Sequence, residues 1–103
     1  MLAMEQRPTA VLLAGDPTAL SVYGAAAEAG LRIPQDLSVI GFGNSLAASM
    51  FPQLTTVDQM TDELGGKVVE MLMDILSGTV TEKKRVYDVE LLYRASTASP
   101  GNE

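Results

Sequence analysis

The sequence predicts an α/β fold, part of a doubly wound parallel sheet with flanking helices. Three observations carry it. Thr9–Ala14 (TAVLLA) and Leu37–Phe42 (LSVIGF) are apolar runs without the alternation of a half-exposed strand, the pattern of parallel strands covered on both faces. An alanine-rich stretch of helical composition lies between them, making a β-α-β unit. Farther on, Met60, Leu64, Val68, Met71, Leu72, Ile75 and Leu76 fall three or four residues apart, which predicts an amphipathic helix over Gln59–Ser77.

The elements follow in order. The first strand, Thr9–Ala14, ends at Gly15-Asp16-Pro17. Asp16 suits a helix N-cap, and Pro17 suits the first helical position, where its missing N–H costs nothing. That helix runs to about Ala29, and its alanines permit close approach to a neighbouring helix or sheet; Gly30 is a left-handed stop. Leu31–Asp36 is a loop before the second strand. Gly43–Met50 reads as a loop with one short helical turn, Phe51-Pro52-Gln53 punctuates it, and Leu54–Val57 is a third short strand. Gly78 closes the long helix, and Gly65-Gly66 inside it costs about 1 kcal/mol each relative to alanine. Thr79–Arg85 is a polar linker. Val86–Tyr93 alternates, with Tyr87, Val89, Leu91 and Tyr93 on one face and Asp88 and Glu90 on the other, which predicts a half-exposed edge strand. Ser96–Glu103 is a polar tail expected to fray. Met1–Gln6 has helix-forming residues without a start signal and resembles the last turn of a helix that begins upstream.

Composition narrows the function. The 103 residues are the size of one small domain, and 47% hydrophobic content suffices for a packed core. Thirteen acidic against seven basic residues give a formal net charge of −6, which repels a polyanion and argues against nucleic-acid binding by this stretch. Cysteine and histidine are both absent, which removes disulfides, thiolate or imidazole metal ligands and Cys/His/Ser nucleophile–base pairs. No catalytic residue, cofactor or metal is expected. No run of apolar residues is long enough to span a bilayer, and the first residues lack the pattern of a signal peptide, so a cytoplasmic location without membrane association is the expectation.

The stretch SVIGFGNS (38–45) poses the functional question. Gly41-Phe42-Gly43 could open a dinucleotide fingerprint, but the third glycine of G-x-G-x-x-G would fall at Leu46 and no long helical pattern follows directly. A plain turn at two flexible residues also satisfies the local chemistry. The third possibility is a ligand site whose side chain is gone.

RPTAVLLAGD, EAGLRIPQD, LSVIGFGNS, PQLTTVDQ, ELGGKVVEMLMDILSG and VELLYRAST, in that order and with those gaps, resemble the effector-binding domain of the LacI/GalR family of bacterial transcription regulators. The resemblance runs from Arg7 to Thr97 and implies a flavodoxin-like, periplasmic-binding-protein-like sheet. It matches only the last third of such a protein, so a helix-turn-helix headpiece and the first subdomain are expected to lie outside it. The implied function is sensing a small effector in a cleft between subdomains, coupled through a homo-oligomer to operator DNA held by a separate headpiece. An apolar loop pair such as Met50-Phe51 is more often core than interface, although the same resemblance puts that segment and the helix Pro17–Ala29 at the dimer contact. Rival readings are a sugar-binding transport protein of the same fold and a nucleotide-binding enzyme.

The resemblance also implies site residues. Its Asn-Asp turn is here Gly15-Asp16, so the aspartate persists and the cleft-facing amide does not. Its Gly-Tyr/Phe-Asp-Asp/Asn strand end is here Gly41-Phe42-Gly43-Asn44, so glycine stands where a ligand carboxylate is expected. Gln59 matches a polar residue near the hinge that can face the cleft. The candidate effector site is therefore Gly15, Asp16, Gly43, Asn44 and Gln59, whereas Asp36 and Asp58 read as loop acids or helix caps. A charge-assisted hydrogen bond to a sugar hydroxyl is worth roughly 1.5–3 kcal/mol, or about one to two decades in affinity, so an effector other than an ordinary sugar is expected. The long helix, whose family counterpart packs mostly on the other subdomain, is expected to drive self-association.

Overall fold

The computed structural model describes residues 6–79, 84 and 86–100. Its elements are β1 (Ala10–Leu12), α1 (Asp16–Glu28), β2 (Ser38–Phe42), a 3-10 turn (Ala47–Ser49), β3 (Thr55–Asp58), α2 (Thr61–Ser77) and β4 (Glu90–Leu92). The expected last helical turn at Met1–Gln6 lies almost entirely outside the described residues, as does most of the Thr79–Arg85 linker.

The expected α/β sheet is present. β1, β2 and β3 are parallel in that order, with Leu12 beside Ile40 and Phe42 beside Val57. β4 closes the far edge antiparallel to β3, Thr56 opposite Leu92. α1 lies across one face because Ala19 and Ala26, about two helical turns apart, present no side chain beyond a methyl. They sit fully buried among Leu37, Val39, Ala47, Met50 and Leu54. Val11 and Leu13 of the β1 segment and Val22 and Tyr23 of α1 pack around that core. Tyr23 anchors the loop after the 3-10 turn through a hydroxyl bond to the Pro52 carbonyl (2.8 Å), and burial pushes its phenol above the ordinary range. In the Leu31–Asp36 loop, the Arg32 guanidinium hydrogen-bonds Asp36 and holds that carboxyl below the usual carboxylate range.

Four expectations need correction. β1 is an exposed edge rather than a fully buried strand: Leu12 is 71% exposed, because the face carrying Leu12, Ile40, Phe42 and Val57 lies opposite α1. The end of the chain is not frayed through its first residues. Ser96 is fully buried where β2 and β3 diverge, its hydroxyl donating to the Val39 carbonyl (2.6 Å) and accepting from the Thr55 N–H (2.8 Å), while Ala98 N–H bonds the Ser38 hydroxyl. A small hydroxyl there completes a ladder that would otherwise bury unpaired backbone groups. In the last strand, which spans Glu90–Leu92 of the expected Val86–Tyr93, Val89, Leu91 and Tyr93 are exposed along with Asp88 and Glu90, while Leu92, opposite buried Thr56, is half-buried. Finally, Met50 is core but Phe51 is 94% exposed.

α2 begins at Thr61 and ends at left-handed Gly78, with the Thr79 N–H bonding the Asp74 carbonyl (3.1 Å). Val68, Val69, Leu72, Met73 and Leu76 are exposed, and no atom comes close to the positions a methyl would occupy on Gly65 or Gly66. The helix therefore projects from the sheet. The radius of gyration is 18.2 Å, against about 13 Å for a compact domain of 100 residues.

Candidate functional site

The carboxyl ends of parallel strands open toward one edge of the sheet, the usual location of ligands in α/β folds. Here that edge is built from Leu13-Ala14-Gly15 after β1, Gly43-Asn44 after β2 and Asp58-Gln59 at the end of β3. Its base is the Asp16 carboxylate.

Gly15, not Asp16, is the N-cap of α1, and no side chain caps the helix. Asp16 opens the helix itself and turns its side chain inward, where it is fully buried. One oxygen accepts the Thr56 hydroxyl (2.7 Å); the other accepts the N–H groups of Leu46 and Ala47 (3.2 Å each). The helix-cap reading of Asp16 is thereby replaced: the carboxylate joins α1, β3 and the 3-10 turn, and its buried charge is met by three donors. Gly41 answers half of the question posed by Gly-Phe-Gly. A methyl on Gly41 would collide with the Asp16 carboxylate and lie 2.6 Å from Leu54 Cδ2, so glycine is required for close approach, not for a turn.

Gly43 has a different reason. Its φ is +109°, its N–H continues the β2–β3 ladder to the Val57 carbonyl (2.8 Å), and there is open space around it. Asn44 follows at φ 55°, its N–H directed at the Thr56 hydroxyl oxygen (3.4 Å) and its amide at Asp58 Oδ2 (3.4 Å). Asp58 Oδ1 accepts the Met60 N–H at 2.7 Å.

Gly43, Asn44, Asp58, Met60, Thr61 and Glu63 line an open cavity of about 280 Å³. Gln59 lines two adjoining grooves instead: one of about 320 Å³, shared with Met60, Glu63, Lys67 and Tyr87, and one of about 460 Å³ beneath α2. Lys67 Nζ stands 5.3 Å from the Tyr87 ring centre there. Around β1, an apolar cavity of about 360 Å³ is lined by Leu12, Leu13, Ala14 and Phe42. Of the five residues singled out from sequence, Gly43 and Asn44 share a cavity and Gln59 adjoins it. Gly15 caps α1 next door, and Asp16 lies beneath, separated by Thr56. Asp58 and Thr56 were missed. Asp58 was legible only as a residue of cap type, because nothing local signals that β3 sets it beside Asn44. The carboxylate absent at position 43 is thus present in the same cavity from the neighbouring strand. Among the described residues no group of three or more acidic side chains is placed to hold a metal.

The periplasmic binding protein-like domain model matches residues 1–97. The chain belongs to that family. Within it, the relatives are LacI-type regulators: the HTH-type transcriptional repressor PurR of Pectobacterium atrosepticum is 44% identical over 101 residues, covering 95% of this chain and 29% of its own length. The dimeric Lac repressor with an 11-residue C-terminal deletion superposes with a TM-score of 0.86 at 34% identity, over 91% of this chain and 35% of that one. A LacI family regulator from Arthrobacter sp. FB24 in complex with lactose gives 0.81 at 31% identity, over 91% of this chain and 36% of that one. The periplasmic-binding-protein-like chain thus spans about a third or less of the relatives it matches. No described helix is long and apolar enough to cross a membrane.

Proposed function

We propose that this chain is the ligand-sensing and dimerisation part of a cytoplasmic LacI-type transcriptional regulator, without enzymatic activity. In this reading, a small effector bound at the strand ends alters the operator affinity of a headpiece outside the sequence. The observation that carries the reading is the cavity at the ends of β2 and β3, where Asn44 and Asp58 offer an amide and a carboxylate and neither lysine nor arginine lines the wall. Such a wall selects neutral or donor-rich ligands over anions. The net charge of −6 fits operator contact through another segment.

Amide chemical-shift titration tests this with lactose as a neutral saccharide, adenine as a flat heteroaromatic and inorganic phosphate as an anion. Shifts for a neutral probe should concentrate at Gly43, Asn44, Asp58 and Thr61, and Asn44→Ala should weaken that binding by roughly tenfold. Phosphate as the best ligand, or shifts confined to other residues, would contradict the assignment.

The chain also self-associates in this reading. Gly65, Val69, Leu72 and Leu76 are spaced four, three and four apart on the exposed side of α2, a self-complementary seam in which the glycine admits a second backbone. Light scattering at high micromolar concentration should report a dimer or larger, and Leu72→Glu with Leu76→Glu should return a monomer. A native chain that stays monomeric would remove this part of the proposal.

A further inference from the structure

Among the described residues, two non-glycine positions adopt left-handed backbone conformations: Asn44 at φ 55° and Met60 at φ 54°. They lie on different elements, one after β2 and one immediately before α2, yet both engage the same side chain. Asp58 Oδ1 takes the Met60 N–H at 2.7 Å, and Asp58 Oδ2 takes the Asn44 amide at 3.4 Å. All three residues line the same 280 Å³ cavity. A methionine in this conformation has no local side-chain hydrogen bond to favour it, so its surroundings must hold it there. Strained backbone of this kind gathers where structure is being set for a task.

We infer that Asp58 is a positioning residue, a latch whose single carboxylate holds both strained segments and thereby fixes the direction in which α2 leaves the sheet. Met60 is the lever: its carbonyl accepts the Leu64 N–H (2.8 Å), so its dihedral angles orient the first turn of α2. The two bonds are unequal. A ligand donor entering the cavity competes with the longer bond at Oδ2, releasing Asn44, while Oδ1 keeps its hold on Met60. The functional consequence rests on the cavity being the effector site; the latch itself does not, and its test needs no ligand.

The native chain has no cysteine, so Ser21→Cys on α1 and Glu70→Cys on the polar side of α2, both exposed positions, accept a nitroxide pair cleanly. With labelled chain diluted into unlabelled protein, double electron–electron resonance should give one narrow distance distribution. Asp58→Ala should broaden it at least twofold, whereas Asp58→Asn, whose side-chain carbonyl still accepts the Met60 N–H, should keep it narrow. An unchanged width in Asp58→Ala, or equal broadening in both variants, overturns the latch. If Asp58→Ala does not fold, Asp58→Ala with Met60→Gly decides the matter, because glycine adopts φ 54° unaided. Recovery of the native circular dichroism supports the latch, and no recovery overturns it.

Discussion

Asp16→Ala is expected to lower the unfolding free energy by about 3–5 kcal/mol, the range reached when a buried polar network is broken. The substitution removes the acceptor of three donors at once: the Thr56 hydroxyl and the N–H groups of Leu46 and Ala47. The hydroxyl can turn elsewhere, but among the described residues the two backbone groups have no other partner; the Ala47 N–H is left buried and unpaired, at roughly 1–3 kcal/mol, and the half-buried Leu46 N–H adds less. Asp16→Asn should cost less, about 1–2 kcal/mol, because its carbonyl oxygen can serve the two N–H groups while its amide faces the Thr56 oxygen. Urea unfolding measures both. A helix cap would behave otherwise, with alanine costing about 1 kcal/mol and asparagine close to nothing. A loss that small would mean that the carboxylate does not join the three elements.

Gly41→Ala should cost about 3 kcal/mol, at the upper end for adding a methyl to a filled interior. The new carbon would sit 2.6 Å from Leu54 Cδ2 and against the Asp16 carboxylate, so relief requires moving either a core leucine or the base of the site. Part of the penalty arises at Asp16, so Gly41→Ala combined with Asp16→Ala should cost measurably less than the two single losses added together. Gly43→Ala is the control two residues away. Space is open there, and only the positive φ resists, for about 1–2 kcal/mol. Equal losses at positions 41 and 43 would show that backbone conformation, rather than close approach to Asp16, explains both glycines.

The contrast between these glycines shows what kind of information a chain carries locally. Gly41-Phe42-Gly43 reads as one motif, yet one glycine answers to a carboxylate from α1 and the other to its own dihedral angle. Gly78 was legible because a helix end needs a left-handed residue at its own position. Asp16 was half legible: its place at the start of a helix follows from Gly15-Asp16-Pro17, but the inward turn depends on Thr56 and the 3-10 turn, which lie 40 and about 30 residues away. Ser96 was illegible for the same reason, since a lone serine in a polar tail gives no sign that it will complete a ladder between two strands.

By itself, then, the sequence determined the order of strands and helices, their stops, the parallel character of the first two strands and the resemblance that placed the chain in its family. Each of these rests on periodicity, capping chemistry or conformational preference within a few residues, where side chains act on their own backbone. Only the tertiary structure decided which face of the sheet is covered, why Gly41 must be glycine, and that Asp58 rather than position 43 supplies the carboxylate beside Asn44. Those outcomes depend on hydrogen bonds and exclusion between segments that meet only after folding, and such contacts leave no periodic mark on the chain.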